Sequence, residues 1–463
     1  MGRREPNTAL AVLLAESGMG EGQFARAVNR AAAETGLVLR YDQPSISNWL
    51  SGTLPRKIAR PFVVEALSRR LGRALTHTDL GFPPPAAHQN AQAGMSTVEE
   101  LVELGRSDMD PSRRGVLSAG VFSAAMAVPG WSEAAERVTA VSTGRASRVG
   151  MAEVRVVKDM TERLSGMCDE FGGGYARPLA AAFVANHLGD HLRADAPGHV
   201  RRAMAREAAF LCYLTGWMAV DEGDHAMAQR WYLTALELAA EAGDRDVHCH
   251  VLRGMSVQAA DLGHGPLAVR LADAAAEAAP GATPRMRAFY AGQQAHAFAV
   301  AGERTGALRA LRETETALDR AESGLTTFGG YAPSTLAYTT AQVRHGLGDT
   351  AGSVSSFRLH FRLRDAGDSR GSAVRFGALM AERQLTAGHL DAACETWHRV
   401  LDDYEGIRSG RADERVGGIR GLLRPYLGNR GARALDERVR GLGVGGRGTR
   451  GGAVVSRAAG SGL

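Results

Sequence analysis

Arg40-Tyr41-Asp42-Gln43-Pro44-Ser45-Ile46-Ser47-Asn48-Trp49-Leu50-Ser51-Gly52-Thr53-Leu54-Pro55 is the stretch that decides how this chain is read. Ile46, Trp49 and Leu50 recur at three- and four-residue spacing, so on a helix they share one face and can be buried together. Gln43, Ser45, Ser47 and Asn48 fall on the other flanks, a short polar set rich in hydrogen-bonding groups. Gly52 and Pro55 stop the helix. A short helix with a buried aromatic and small polar outer residues suits a DNA major groove, where long acidic side chains would be repelled.

The residues around it build a small helical head. Asn7 can cap a first helix that runs to about Ser17, with Leu10, Leu13 and Leu14 inward, and Gly18 closes it. A second helix from about Glu21 to Thr35 buries Phe24, Ala25 and Val28 and ends at Gly36. A fourth helix after Pro61 carries Phe62, Val63, Ala66, Leu67 and Leu71. Residues 1–82 hold 11 basic against 7 acidic side chains. Between Tyr41 and Leu75 six basic residues face only Asp42 and Glu65. A positive belt beside a polar helix is what docking on a phosphate backbone requires. Arg69, Arg70 and Arg73 have a second reading, as charges favoured by the dipole at a helix C-terminus.

Ile46-Ser47-x-Trp49-x-x-Gly52-x-x-Pro55 resembles the recognition helix and exit turn of the XRE, or lambda-repressor-like, helix-turn-helix family. The wider arrangement resembles actinomycete regulators of sporulation and antibiotic production, known from Streptomyces, that join such a head to a tetratricopeptide array. The resemblance implies base contacts from Gln43, Pro44, Ser45, Ser47 and Asn48, and backbone contacts from Arg40, Tyr41, Arg56 and Lys57. Asn48 and Gln43 have the amide geometry for a bidentate pair with adenine. The chain departs from the family in two places. The connection before the recognition helix is longer than the usual three- or four-residue turn, and Leu50 stands where a Glu is common.

Downstream of Met151 the pattern is helix after helix. Gly223-Asp224, Gly263-His264, Gly302-Glu303, Gly348-Asp349 and Gly388-His389 recur at intervals of 40, 39, 46 and 40 residues. Five residues after each glycine stands a small side chain: Ala228, Ala268, Ala307, Ser353 or Ala393. Nine after it stands Tyr232, Ala272, Leu311, Phe357 or Trp397. Small residues let paired helices approach and larger ones fill the groove between pairs, the logic of a tetratricopeptide array with long helices or loops. Such arrays present a concave binding face. Segments 179–192 and 201–214 read as an earlier, atypical capping pair. The expected fold is therefore all-α. Residues 1–82 form the helix-turn-helix head and 83–147 a linker with a short helix near 97–104 and an apolar one after Arg113-Arg114. Residues 148–438 form the tetratricopeptide-like solenoid and 439–463 a disordered Gly/Arg tail.

Composition narrows the class. The chain has 463 residues, 44% hydrophobic and 23% charged, with formal charge +5, as suits a large soluble helical protein. Lys57 and Lys158 are the only lysines, so arginine richness reflects codon bias as readily as phosphate binding. Cys168, Cys212, Cys249 and Cys394 are too scattered for a zinc knuckle or redox pair, and fit a reducing cytoplasm. No apolar run reaches membrane-spanning length, and no leader peptide is expected. The twin arginine at 113–114 imitates an export signal but lies behind the head, so packing on the repeats or on a second subunit is its expected role.

Several motifs are weighed and set aside. His187 and His191 share a helix face, but without the Glu of a metalloprotease motif. Consecutive His248-Cys249-His250 splay apart on a helix. Gly443-x-Gly445-x-x-Gly448 has no strand before it or helix after it. Phe171-Gly172-Gly173-Gly174-Tyr175 lacks the Lys-Ser/Thr of a phosphate loop and reads as a flexible turn. Gly367-Asp368-Ser369-Arg370-Gly371 matches a nucleophile elbow in letters, without the apolar strand. The reading is a cytoplasmic, non-enzymatic DNA-binding regulator without metal or cofactor, acting as a homodimer on double-stranded DNA. Its array takes a peptide, protein or small effector. The alternative is a tetratricopeptide interaction scaffold with no specific DNA binding.

Overall fold

The computed structural model describes residues 6–34, 37–73, 75–83, 96–109, 149–321, 331–365 and 369–442. The apolar segment after Arg114 and the Gly/Arg stretch from Gly443 onward lie outside them. The described chain is all-α, with successive helices packed as neighbouring pairs.

Four helices build the head: α1 Thr8–Ser17, α2 Glu21–Ala33, α3 Gln43–Leu50 and α4 Arg60–Leu71. Asn7 does two jobs. Its Oδ1 accepts the Leu10 amide at 2.9 Å as the α1 cap, and its Nδ2 donates to the Leu80 carbonyl at 2.9 Å, tying the first helix to the last turn of the head. Leu10, Phe24, Val28, Ile46, Trp49, Phe62, Leu67 and Leu80 close one core. The long connection into α3 is not slack. The Asn29 side chain donates to the Tyr41 carbonyl at 2.8 Å and accepts its amide at 3.0 Å, and the Tyr41 ring meets Trp49 edge-on at 4.8 Å.

Between head and array, α5 Thr97–Met109 extends five residues beyond the expected short helix and lies along α7 Gly173–Phe183 and the π-helical turn Val184–Leu188. Gly105 makes the approach possible, since a Cβ there would stand 2.9 Å from the Ala181 carbonyl oxygen. The anchor is Asp108, fully buried in a linker that reads as polar. Its carboxylate takes Arg177 Nε at 3.0 Å and the Trp231 indole N–H at 3.0 Å. Arg177 reaches on to Glu222 at 2.6 Å and Asp224 at 3.0 Å. A guanidinium out of water is tolerated because every side of it meets an acceptor.

The array begins with α6 Met151–Phe171, then α7 and the short α8 Gly189–Arg193. Five hairpins follow: α9 Gly198–Asp221 with α10 His225–Ala242, α11 Arg245–Asp261 with α12 Gly265–Glu277, α13 Pro284–Val300 with α14 Arg304–Asp319, α15 Pro333–Gly346 with α16 Thr350–Leu363, and α17 Arg370–Thr386 with α18 Leu390–Tyr404. Helices α19 Gly410–Leu423 and α20 Arg430–Gly441 end the described chain. Segment 201–214 therefore lies inside α9, whose chief partner is α10, with α7 and α8 packed on it as well. Gly216 dictates this, because a Cβ there would stand 2.8 Å from the Tyr232 ring. Helix α20 also runs past residue 438, the expected end of the array, and buries Val439.

The five repeated glycines all sit at positive φ, from 77 to 86°. After each, the next amide reaches back to a carbonyl five residues earlier: Asp224 to Ala219, His264 to Ala259, Glu303 to Phe298, Asp349 to Arg344 and His389 to Gln384, at 2.8–2.9 Å. This satisfies the orphan carbonyls of the ending helix and turns the chain sharply into its partner. The small residues five positions on are all fully buried, and the larger ones nine positions on lie in the same interfaces.

The array closes on itself. Helix α17 packs against α6. Arg408 donates its amide to the Phe171 carbonyl at 2.8 Å and accepts the Gly174 amide at 3.0 Å. Ser409 Oγ donates to Asp221 at 2.7 Å, and Asp261 of α11 receives both Arg375, at 2.7 Å, and Arg411. Gly172-Gly173-Gly174 is thus no flexible turn but a seam. Gly172 lies against the Arg408 carbonyl, and a Cβ on Gly173 would stand 2.6 Å from the Met218 carbonyl oxygen.

Two outcomes are expected. Asp261→Asn leaves two guanidiniums facing each other and lowers stability by about 2–3 kcal/mol. In an Arg411→Gln background the same change costs at least about 1 kcal/mol less, measured by urea unfolding; equal costs would disprove the shared carboxylate as the closing contact. The second outcome concerns acid. Burial pulls His248 to about 4, His296 to about 4 despite nearby Asp261, and His250, with Arg253 adding to the effect, to about 3, against an ordinary 6.5. From pH 7 to 5.5 the unfolded chain takes up protons that the folded one refuses, so stability falls with pH by roughly 1 kcal/mol per histidine. His250→Phe, in a pocket of Phe210, Tyr213 and Phe289, should flatten that slope by about a third of the histidine contribution.

Candidate functional site

Two surfaces carry chemistry: the outer edge of α3 on the head and the cavity inside the closed array. On the head, Asp42 caps α3 by accepting the Ser45 amide at 3.0 Å. Ile46 and Trp49 turn inward. Gln43, Pro44 and Asn48 are exposed, while Ser45 and Ser47 are half-buried. The Ser45 hydroxyl donates to Asp42 at 2.6 Å, and the Ser47 hydroxyl donates to Glu21 at the start of α2. The two serine protons are therefore already spent within the head, and Gln43 and Asn48 are the exposed amides of the helix. Arg40, Arg56 and Lys57 are exposed beside it, without an ion pair among the described residues. Tyr41 is half-buried, its ring held by Trp49.

The arginines of α4 behave differently. Arg69 is clamped by Glu34 at 2.7 Å and Glu65 at 2.6 Å, Arg70 donates to the Ser17 carbonyl at 2.9 Å, and the Arg73 guanidinium reaches Glu16 at 2.9 Å. They staple helices of the head together, and the positive belt contracts to Arg40, Arg56 and Lys57 with the half-buried Arg60. Glu34 also lies 3.7 Å from His264 Nε2, in the second turn of the array. Burial works against the Glu34 charge, but His264 and Arg69 hold its carboxyl below the ordinary value.

The inner wall of the array lines a partly open cavity of about 350 Å³. Its wall comes chiefly from the first helices of the hairpins, which line the ring. Trp217, Val257 and His296 each stand six residues before their turn glycine, and Arg253 and Tyr338 each stand ten before theirs. Tyr338 and Phe376 stack with centroids 4.0 Å apart. Arg253 lies over Phe289 at 4.0 Å, and Arg411 over Trp217 at 5.7 Å. Burial disfavours the Asp261 charge, yet Arg375 and Arg411 overcome it and hold the carboxyl at about 2. That single charge serves two cations. Arg253 has no carboxylate partner among the described residues, and its buried Nε has no hydrogen-bond acceptor among them.

These cavity residues were not among the site residues the sequence analysis named. Their signal was the inner-face register of the first helices, counted back from the repeated glycines. The motifs set aside stay apart here. Ser369 of the nucleophile-elbow lookalike caps α17, accepting the Ser372 amide at 3.3 Å, and Gly367-Asp368 lie outside the described residues. His187 sits in the π-helical turn beside Phe183 at 5.6 Å. Among the described residues no three His, Cys, Asp or Glu side chains group as metal ligands, and no helix is long and apolar enough to cross a membrane. The four cysteines are buried and unbridged.

Comparison with known proteins bears on the head alone. No curated protein matches the chain. Residues 10–83, from within α1 to the turn that closes the head, match the family model of the SP15 N-terminal domain.

Proposed function

We propose that the protein is a sequence-specific DNA-binding transcriptional regulator whose helical array holds an effector. The observation that carries this reading is the exposed edge of α3. Gln43 and Asn48 are exposed on a helix pinned by Ile46 and Trp49, with Arg40, Arg56 and Lys57, unpaired among the described residues, alongside. Side-chain amides read adenine edges in the major groove, and basic residues on the flanks neutralise phosphates. The resemblance to the XRE helix-turn-helix family supports the same assignment, with Pro44, Ser45 and Ser47 shaping the contact surface and Tyr41 at its rim. Homodimers would present two heads to half-sites one helical turn apart. The array would bias their spacing through α5, the strut whose Asp108 is locked to Arg177 and Trp231.

A second reading treats the head as a protein-docking module within a scaffold. Asp42 and Glu21 favour it, since two carboxylates edge the same face that phosphates would have to approach.

Genome-wide binding of the tagged protein, with the best site re-measured in vitro across salt concentrations, separates the two. The regulator reading expects a defined motif, a roughly ten- to hundredfold loss in Asn48→Ala at that site, and similar weakening in Gln43→Ala. Arg56→Gln or Lys57→Gln should weaken all sequences alike and reduce the salt slope by about one each. Binding without a motif, together with one stoichiometric protein partner in a pull-down, would transfer the assignment to the scaffold.

A further inference from the structure

We propose that the cavity at the centre of the closed array binds a small organic anion with a flat unsaturated body, its charge held at Arg253 and the Arg375–Arg411 pair and its plane set against Tyr338 and Phe376. Three observations meet there. The first is size: about 350 Å³ matches a small molecule and is too little for a helix or a folded domain. The second is charge. Arg253, Arg364, Arg375 and Arg411 line the cavity against Asp169 and Asp221 of its wall, Asp261 is shared by Arg375 and Arg411, and Arg253 has no carboxylate partner among the described residues. The arginines outnumber the carboxylates around the cavity, and an anionic oxygen supplies the missing countercharge. The third is shape: the Tyr338–Phe376 pair is a half-buried aromatic surface inside the same cavity, with the His360 ring edge-on to Phe376 at 5.2 Å. A carboxylate, a phosphate ester or a sulfonate satisfies the arginines equally. What the cavity selects is one compact anionic group joined to a ring system.

This inference rests on the effector half of the proposed function and, among peptide, protein and small molecule, chooses the last. Its test needs no DNA, so its failure leaves the reading of the head intact, and loss of motif-specific binding leaves the cavity standing. The probe is anilinonaphthalene sulfonate, an aromatic anion whose fluorescence rises out of water, titrated into the full-length protein. Its uncharged relative phenylnaphthylamine is the control. One saturable site is expected, weakened roughly tenfold or more in Arg253→Gln and again in Phe376→Leu, with unchanged helical circular dichroism in each. Arg399→Gln, on the outer face, should leave the affinity as it was. Phenylnaphthylamine should bind at least tenfold more weakly than the sulfonate. Benzoate, phenyl phosphate and benzenesulfonate, added as competitors, rank the anionic groups. Absence of a saturable site, equal affinity for the neutral relative, or indifference to both cavity substitutions would overturn the proposal.

Discussion

One carboxylate, Asp261, holds two ends of a long helical path together. It stands at the end of α11, and it draws in Arg375 from α17 and Arg411 from α19, residues 114 and 150 positions further along the chain. Without such a tie, stacked helical hairpins are quasi-one-dimensional, each touching only its neighbours. With it, and with the backbone bonds between Phe171, Gly174 and Arg408, the last hairpins become neighbours of the first. The hairpin interfaces then share one constraint, and the enclosed space acquires a fixed size. The glycine run at 172–174 is subordinate to the same requirement: only a bare backbone lets the two edges meet.

The linker helix is governed by a comparable economy of charge. Asp108 has no sequence context that marks it out, yet it is the most buried acid among the described residues, shared by Arg177 and Trp231. Arg177 in turn gathers Glu222 and Asp224, the residues that flank the first turn glycine. The strut leading from the head is therefore fastened to the turn that opens the first hairpin. Burial acts against the Arg177 charge, and the acceptors around it still leave the guanidinium more firmly protonated than usual.

What could be read from the sequence followed local rules. The turn glycines, their small partners five residues on and the fillers nine residues on belong to one repeating geometry, and positive φ at Gly223 or Gly388 is a property of two or three neighbouring residues. The inner face of α3 was equally legible, since Ile46 and Trp49 are one helical turn apart. Closure was not, because it depends on small rotations accumulated over five hairpins and on pairs such as Asp221 with Ser409, 188 residues apart. The cavity inherited that obscurity: its lining is drawn from residues 168 to 411 and converges only once the ring is shut. Arg69, Arg70 and Arg73 illustrate the opposite hazard. Their clustering looked like a phosphate belt or dipole partners, while Glu16, Glu34 and Glu65, distant in sequence or on the same helix, had already claimed two of them and the Ser17 carbonyl the third.

The seam also fixes a count. An open stack of hairpins gains or loses a unit at modest cost, because each addition merely lengthens the superhelix. Here each hairpin contributes a share of the rotation that brings Arg408 to Phe171, so one unit more or fewer would carry the closing edge past its partner or leave it short. Duplication or deletion of a hairpin, the usual route by which such arrays diversify, is barred to this protein unless the interfaces change their angles together. Side chains that face inward can change without disturbing that count.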